Sequence, residues 1–173
     1  MKNKKIKVGI LGGSFDPAHR GHLAISKEAK KRFRLKKIIW AITKKNPFKM
    51  ESKKSVPVRI NYCKKIIGTN SFIKVKFYEK IIKSNKTINL INYLKKDKKI
   101  EIYFLMGADN LIHFHKWHKS KLISQKCNIL VFDRHGYKKN SLKSKTFKQL
   151  SKTNLEFIEF NKVNISSSQL RKI

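Results

Sequence analysis

Short apolar runs alternate with segments of helical spacing along the whole chain. The apolar runs predict strands at 7–11, 37–42, 72–75, 100–106, 128–132 and 155–160. Between them, apolar residues that recur every third or fourth position predict helices at 21–33, 56–67, 87–96 and 108–115, with a terminal helical turn at 166–171. The pattern therefore predicts an α/β fold.

The alternation also predicts that the strands are parallel, because parallel neighbours need a crossover between them, usually a helix. The run at 100–106 is almost continuously apolar, as expected for a central strand covered on both faces. Right-handed crossovers give a Rossmann-like sheet flanked by helices, with its ligand crevice at the carboxyl ends of the strands. No repeat or Pro/Gly/Ser-rich linker divides the chain, so we expect a single domain over residues 1–173.

Lysine dominates the charge of this chain. The net charge is +33, yet only six of the 43 basic residues are arginines, and lysine is spread nearly evenly from end to end. A protein that reads nucleic-acid grooves relies on arginine for bidentate contacts, so we expect no specific nucleic-acid partner. Ile and Asn are also abundant, and their codons, like those of Lys, are AT-rich. A biased genome composition is the favoured explanation, with a general attraction for anionic substrates as its consequence.

Neither the N-terminus nor the cysteines indicate an exported or membrane protein. No run of 18 apolar residues occurs, and the basic N-terminus lacks the apolar core of a signal peptide. Cys63 and Cys127 are far apart in sequence, which favours reduced thiols over a disulfide framework or a zinc site. We therefore expect a cytoplasmic protein with no membrane contact.

The strongest chemical signal is the run G-G-S-F-D-P-A-H-R-G-H, which extends from Gly12 to His22. It connects the first predicted strand to the first predicted helix. Gly12 and Gly13 let the backbone approach a bound phosphate, and His19 and His22 can face that phosphate together. The helix start adds free N–H groups and partial positive charge. A plain capping turn would leave the glycine pair unexplained, so the run predicts a nucleotide-phosphate site.

This run differs in spacing from two common phosphate motifs. The dinucleotide fingerprint needs G-x-G-x-x-G and the P-loop needs G-K-[ST], and neither fits here. The pattern G-G-S-F-D-P-x-H-x-G-H instead resembles the nucleotidyltransferase superfamily marked by H-x-G-H. The segment 165–171, I-S-S-S-Q-L-R, resembles the I-S-S-T-x-x-R motif of the same superfamily. There Ser166 and Ser167 would offer hydroxyl and N–H groups to an anion, and Arg171 would hold phosphate oxygens.

Three internal segments are similar to the bacterial nicotinate-nucleotide adenylyltransferases. The segment 106–111, M-G-A-D-N-L, with Trp117 after it, resembles their G-A-D-N-L…F…W segment. The segment 43–49 resembles their N-P-x-K loop, and Arg134 begins a match to R-x-G-Y. The stretch that begins at Thr87 departs from their T-x-D-T pattern, because Asn89 and Leu90 stand in its last two positions. The resemblance extends from residue 8 to residue 171.

The resemblance implies adenylyl transfer from ATP to nicotinate mononucleotide, which gives deamido-NAD and pyrophosphate. The attacking phosphate has a second pKa of about 6 and is ionised at neutral pH, so no general base is required. Catalysis is then expected from positioning and charge neutralisation. The implied catalytic residues are His19, His22 and Arg171. The implied ATP-binding residues are Gly12, Gly13, Ser14, Phe15, Gly107, Asp109, Ser166, Ser167 and Arg171. The implied substrate-binding residues are Asn46, Lys49, Thr87, Trp117 and Arg134, with Trp117 stacking on the pyridine ring.

The resemblance also implies Mg²⁺ that enters with ATP, held mainly by phosphate and water and not by a protein metal cage. His113, His115 and His118 lack a nearby carboxylate or cysteine partner and are rejected as a metal site. The alternatives are an H-x-G-H adenylyltransferase with phosphopantetheine or nicotinamide mononucleotide as acceptor, a cytidylyltransferase, or a basic RNA-binding module. Longer family members continue with another helix, so their quaternary contacts are not carried over, and a homo-oligomer stays open.

Overall fold

The computed structural model describes residues 4–152 and 154–160, together with Leu170. Its strands are β1 (Ile6–Gly13), β2 (Lys37–Ile42), β3 (Ile73–Lys76), β4 (Ile100–Gly107), β5 (Asn128–Phe132) and β6 (Leu155–Ile158). Its α-helices are α1 (Arg20–Phe33), α2 (Val56–Ile67), α3 (Glu79–Ile82), α4 (Thr87–Leu94), α5 (Ala108–Leu111), α6 (Ser120–Lys126), α7 (Lys138–Lys143) and α8 (Lys145–Leu150). A 3-10 helix spans Phe114–Lys116.

The six strands form one parallel sheet in the order β3-β2-β1-β4-β5-β6, which confirms the predicted Rossmann-like fold. In register, Leu11 of β1 lies beside Trp40 of β2 and Leu105 of β4. The chain runs from β1 outward to β3, and then returns to place β4 on the other side of β1. The strand order therefore reverses between β1 and β4, which is the position where sheets of this type bind ligands.

Both faces of the sheet are covered, as the apolar pattern of β4 predicted. Ile102, Phe104 and Met106 pack on one face with residues of α4 and α6, while Tyr103 and Leu105 pack on the other with residues of α1 and α2. Successive strand residues point to opposite faces, so a strand buried on both sides must be apolar throughout. Every helix in the described ranges is too short or too polar to cross a bilayer.

The sequence pattern was less accurate for short helices. The helix predicted at 108–115 ends at Leu111, and the 3-10 helix follows after a break. The pattern missed α3, α6, α7 and α8, which have only four to seven residues each and so show little periodicity. The third strand is shifted by one residue. The terminal turn predicted at 166–171 lies, apart from Leu170, outside the described residues.

Candidate functional site

A cavity of about 650 Å³ opens at the carboxyl edge of the sheet, where the fold predicts a ligand crevice. Its walls include the last residues of β1, β2, β4 and β5. Every predicted site residue in the described part of the chain lines this one cavity: Gly12, Gly13, Ser14, Phe15, His19, His22, Asn46, Lys49, Thr87, Gly107, Asp109, Trp117 and Arg134. The fold therefore brings together residues from motifs that are up to 122 positions apart in sequence (Gly12 to Arg134).

The histidine pair is built into the first turn of α1. His19 is the N-cap residue, and its Nδ1 accepts a hydrogen bond from the backbone N–H of Gly21 at 3.1 Å. His22 reaches back, and its Nδ1 accepts from the backbone N–H of His19 at 3.1 Å. This is a capping box made by two histidines, since each side chain satisfies a free N–H at the helix start. With both Nδ1 atoms engaged as acceptors, the proton of each neutral ring is on Nε2.

Burial holds both rings in the neutral form. Together with the positive charges of Arg134 and Lys49, which contribute less, it lowers the pKa of His19 from 6.5 to about 4. The pKa of His22 lies well below its ordinary value, first because of burial and then because of His19 and the same two cations. At neutral pH the pair therefore offers two uncharged Nε2–H donors. Neutral imidazole N–H groups can donate hydrogen bonds to phosphate oxygens.

Aromatic packing fixes the His22 ring. The Phe15 ring stacks on Trp40 at 5.1 Å between centroids and contacts the His22 ring at 4.7 Å. The indole Nε1–H of Trp40 donates to Ser26 Oγ at 2.9 Å, which anchors this stack to α1. Phe15 as a whole is 1% exposed, and its buried ring supports His22. Its φ of 50° turns the chain sharply after the glycine pair.

The carboxylate of Asp109 contacts two cationic side chains at the cavity. Its Oδ2 accepts from Arg134 Nη1 at 2.5 Å and lies 3.7 Å from Lys49 Nζ. Its Oδ1 is buried and has no hydrogen-bond partner among the described residues. A Cβ at position 107 would lie 2.6 Å from that Oδ1, so the glycine at Gly107 is what allows Asp109 to fold back over the end of β4. The result is a cationic wall that also acts on His19.

The remaining predicted residues form the rim of the cavity. Asn46 Oδ1 accepts from the N–H of Phe48 at 2.9 Å, and its carbonyl accepts from the N–H of Lys49 at 3.2 Å, so Asn46 shapes the turn that carries Lys49. Trp117 is half-buried, with its ring 6.0 Å from Phe104 and 5.2 Å from Phe114. Thr87 is the first residue of α4. Trp117 thus combines a supported ring with a surface that faces the cavity.

Sequence reasoning missed Glu79, whose side chain lines the cavity and holds the segment that follows β2. Its carboxylate accepts from the hydroxyl of Thr43 and, at 3.2 Å, from the N–H of Lys44. The available signal was the rarity of acids, because Glu79 is one of only ten Asp and Glu residues and lies four residues after the strand predicted at 72–75. Ser166, Ser167 and Arg171, which sequence reasoning assigned to phosphate binding, lie outside the described residues.

Within the described residues, no group of three or more His, Cys, Asp and Glu side chains is arranged to hold a metal ion. The carboxylates at the cavity are engaged in other contacts: Asp109 with Arg134, and Glu79 with the Thr43–Lys44 segment. A metal ion bound mainly by phosphate oxygens and water would not need such a group.

Comparisons with known proteins agree with this geometry. The cytidylyltransferase-like family matches residues 10–173. A probable nicotinate-nucleotide adenylyltransferase of Pelagibacter ubique is 68% identical over 173 residues, covering 100% of this chain and 96% of that protein. One from Clostridium perfringens is 32% identical over 171 residues, covering 96% and 85%.

Among solved structures, the nicotinic acid mononucleotide adenylyltransferase of Plasmodium falciparum is similar to this chain. The structure described as complexed with NaAD has a TM-score of 0.77 at 22% identity and covers 96% of this chain and 82% of that one. A second structure of the same enzyme, described as complexed with APC, gives the same values. At this level of identity the likeness supports the fold.

Proposed function

Because the chain belongs to the nicotinate-nucleotide adenylyltransferases within the cytidylyltransferase-like family, we propose that it transfers the adenylyl group of ATP to nicotinate mononucleotide. The products are deamido-NAD (nicotinate adenine dinucleotide) and pyrophosphate, which places the reaction in NAD biosynthesis. The observation that carries the proposal in this molecule is the pair of neutral Nε2–H donors beside Arg134 and Lys49. These groups suit a cluster of phosphates and offer no acid–base pair for other chemistry.

The proposed reaction is an in-line displacement. An oxygen of the mononucleotide phosphate forms a bond to the α-phosphorus of ATP, and the bond from that phosphorus to the bridging oxygen breaks, so that pyrophosphate leaves with the electron pair. The attacking phosphate is already ionised at neutral pH, since its second pKa is about 6. The chain then needs to position two anions and neutralise developing charge, and this is what hydrogen-bond donors and cations at the cavity can do.

Each part of the phosphate chain has proposed ligands. His19 and His22 donate to oxygens around the α-phosphorus, where preorganised donors matter most because negative charge redistributes there. Gly12, Gly13 and the backbone of Ser14 approach the same phosphates. We keep Ser166, Ser167 and Arg171 as the proposed ligands of the departing pyrophosphate. Gly107 and Asp109 are proposed to contact the ATP ribose and its surroundings.

The acceptor is proposed to occupy the opposite part of the cavity. The exposed part of the Trp117 ring offers a stacking surface for the pyridine. Lys49 and Arg134 then hold the attacking phosphate near His19, while Asn46 and Thr87 contact the remainder of the mononucleotide. A nicotinate carboxylate needs N–H donors, and Thr87 with the backbone after Trp117 is the proposed source.

A divalent metal ion is typical of nucleotidyltransferases, and we propose that Mg²⁺ enters with ATP. When bound, it would offset phosphate charge while the chain orients the reactants. We further propose that residues 1–173 act as one domain and that the protein works in the cytoplasm, where its two buried free thiols, Cys63 and Cys127, would stay reduced.

A substrate panel tests this function directly. Purified protein with Mg²⁺ and ATP should release pyrophosphate only when a pyridine mononucleotide is added, with nicotinate and nicotinamide mononucleotides compared side by side. Phosphopantetheine as acceptor and CTP as donor serve as matched negative substrates. Turnover with phosphopantetheine and none with nicotinate mononucleotide would overturn the proposal. The ratio of the two kcat/KM values decides between acid and amide.

A further inference from the structure

Arg59 connects the two loops that flank the phosphate site. It lies on α2, is 3% exposed, and directs its whole guanidinium group at backbone carbonyls. Nη1 donates to the carbonyl of Ser14 at 2.6 Å and to that of Thr43 at 2.8 Å. Nη2 donates to the carbonyl of Lys44 at 3.3 Å, and Nε donates to that of Lys54 at 3.0 Å. One buried side chain therefore links three separate chain segments.

These segments carry the chemistry. Ser14 belongs to the turn after β1 that leads to His19, and Thr43 begins the loop after β2 that leads to Lys49. The two also meet directly, because the N–H of Thr43 donates to the carbonyl of Gly13 at 2.9 Å. The β1–β2 pairing ends at Gly13 and Ile42. Beyond it, the distance between the turn and the loop depends on a small set of hydrogen bonds, most of which come from Arg59.

Glu79 holds the same segment from the cavity side. Its carboxylate accepts hydrogen bonds from the Thr43 hydroxyl and the Lys44 N–H. Arg59 donates to the backbone carbonyls of the same two residues. The donors and acceptors of this peptide pair are thus satisfied on both sides. The charges also suit one another, since Arg59 lies within electrostatic range of the carboxylates of Asp16 and Glu79. A buried cation needs such compensation.

We propose that Arg59 is a positioning residue for adenylyl transfer: it sets the distance between the phosphate turn at 12–15 and the loop at 43–49, with Glu79 fixing that loop from the other side. This inference rests on the proposed function, because the turn and the loop are taken to hold the two reacting phosphates. Arg59 itself touches neither substrate, since it does not line the cavity and makes four hydrogen bonds to backbone carbonyls with its five N–H donors.

The geometry predicts that lysine cannot replace Arg59. A lysine amine is a single point of charge, whereas the guanidinium fork reaches three segments at fixed angles. Without the fork, the loop carrying Lys49 can shift relative to His19. Misplacement of reacting groups by about 1 Å can lower a rate by about 100-fold. We expect kcat/KM to fall about 10- to 100-fold in Arg59→Lys and Arg59→Met.

The test compares Arg59→Lys and Arg59→Met with Lys95→Met. Lys95 makes a similar contact, from Nζ to the carbonyl of Lys126 at 2.9 Å, at the end of α4 away from the cavity. Steady-state kinetics are measured well below the melting temperature of the least stable variant, with kcat and both KM values separated. Lys95→Met should lower the melting temperature and keep kcat/KM within about twofold of wild type, because its contact is remote from the reacting groups.

Hydrogen exchange supplies a readout that global destabilisation would not imitate. In Arg59→Lys, exchange should rise selectively at residues 12–15 and 43–49, whereas β4 and β5 should be protected as in the wild type. Should Arg59→Met fail to fold, Arg59→Lys and Glu79→Gln decide the question by the same two measurements. Folded variants with wild-type kcat/KM and unchanged exchange at 43–49 would overturn the inference.

The two proposals can fail separately. If the wild type is inactive with every acceptor in the panel, the proposed function is wrong, and hydrogen exchange without substrate still reports whether Arg59 fixes the loop. If the wild type is active and the Arg59 variants match it, only the positioning role is wrong.

Discussion

His19 and His22 are acceptors at one nitrogen and donors at the other, and the backbone decides which. Each Nδ1 accepts a hydrogen bond from a backbone N–H at 3.1 Å, so the proton of each neutral ring is on Nε2. Burial and neighbouring cations keep both rings uncharged. The sequence predicted that these histidines bind phosphate, and the helix-capping geometry supplies a physical reason for the proposed donor role.

Removing a histidine donor should affect catalysis much more than folding. We expect His19→Ala to lower kcat about 100- to 1,000-fold, since a lost donor to a developing charge typically costs that much. His113→Ala is the matched control, because His113 is exposed. Pyrophosphate release and circular dichroism are measured on both. Full activity in a folded His19→Ala would remove this histidine from the mechanism.

The neutral state of His19 should also appear in the pH dependence of stability. Its pKa is about 4 in the folded chain and close to 6.5 when unfolded, so the unfolded state binds more protons below pH 6.5. Stability from this group is therefore present above pH 6.5 and is lost as the pH falls toward 4. Between pH 7.5 and 5, we expect the wild type to lose about 1 to 2 kcal/mol more than His19→Gln.

Urea unfolding at the two pH values measures this difference directly. Equal losses in the wild type and in His19→Gln would show that His19 is not held neutral by the fold. Titration of the His19 ring by NMR gives the same pKa independently.

At the scale of one element, β1 contains glycines that serve different purposes. A Cβ at Gly9 would lie 2.9 Å from Leu105 and 3.0 Å from Ile38 and Leu35, so Gly9 is required by the packing of the sheet. The atoms nearest to a Cβ at Gly13 would be those of the Phe15 ring, at 3.5 Å, which is an ordinary contact. The fold thus tolerates a side chain at Gly13, and its glycine is better explained by close approach of a ligand.

Two alanine substitutions separate these roles. Gly9→Ala should lower the unfolding free energy by about 1 to 3 kcal/mol, as expected for overpacking in a core. Gly13→Ala should unfold within about 1 kcal/mol of the wild type but bind ATP at least about tenfold more weakly, because the added methyl group stands between backbone and phosphate. Calorimetry measures both quantities. Wild-type ATP affinity in Gly13→Ala would exclude a backbone contact there.

The helical elements show where periodicity stops being informative. The sequence predicted α1, α2 and α4 to within a few residues because each has two or more turns with an apolar face. The segment 108–115 contains the apolar Leu111 and Phe114 at helical spacing, yet the α-helix ends before Phe114. Phe114 is instead fully buried against Trp117 from a 3-10 turn. Tertiary packing overrides local spacing at this point.

At the scale of the whole molecule, the net charge of +33 should influence substrate capture more than chemistry. Long-range attraction for ATP is screened by salt over a Debye length of about 10 Å at 0.1 M. Raising KCl from about 50 to 500 mM should increase the KM for ATP several-fold and change kcat by less than about twofold. Potassium glutamate in place of chloride controls for specific anion binding. A KM for ATP that does not change with salt would show that the lysines do not assist ATP capture. Their number would then reflect only the composition of the genome.

The sequence by itself determined the strands and their parallel arrangement, and it predicted the residues of the phosphate site. Strand alternation and the spacing of Gly12, His19 and His22 are local properties, and the physics of helix starts and glycine turns acts over a few residues. Thirteen of the predicted site residues are described, and all of them line one cavity. Their roles stay predictions, and those of Ser166, Ser167 and Arg171 concern residues beyond the described ones.

Only the tertiary structure decided which residues hold the site in shape. The contacts of Arg59 with Ser14 and Thr43, and of Glu79 with Lys44, join positions 16 to 45 residues apart in the chain. The ion pairs of Asp109 with Arg134 and Lys49 likewise form only because the strands that precede these residues lie in the same sheet. A sequence lists these groups, but burial and partner geometry arise only when distant segments meet. Those two properties set the charge state of the histidines and the distance between the two loops.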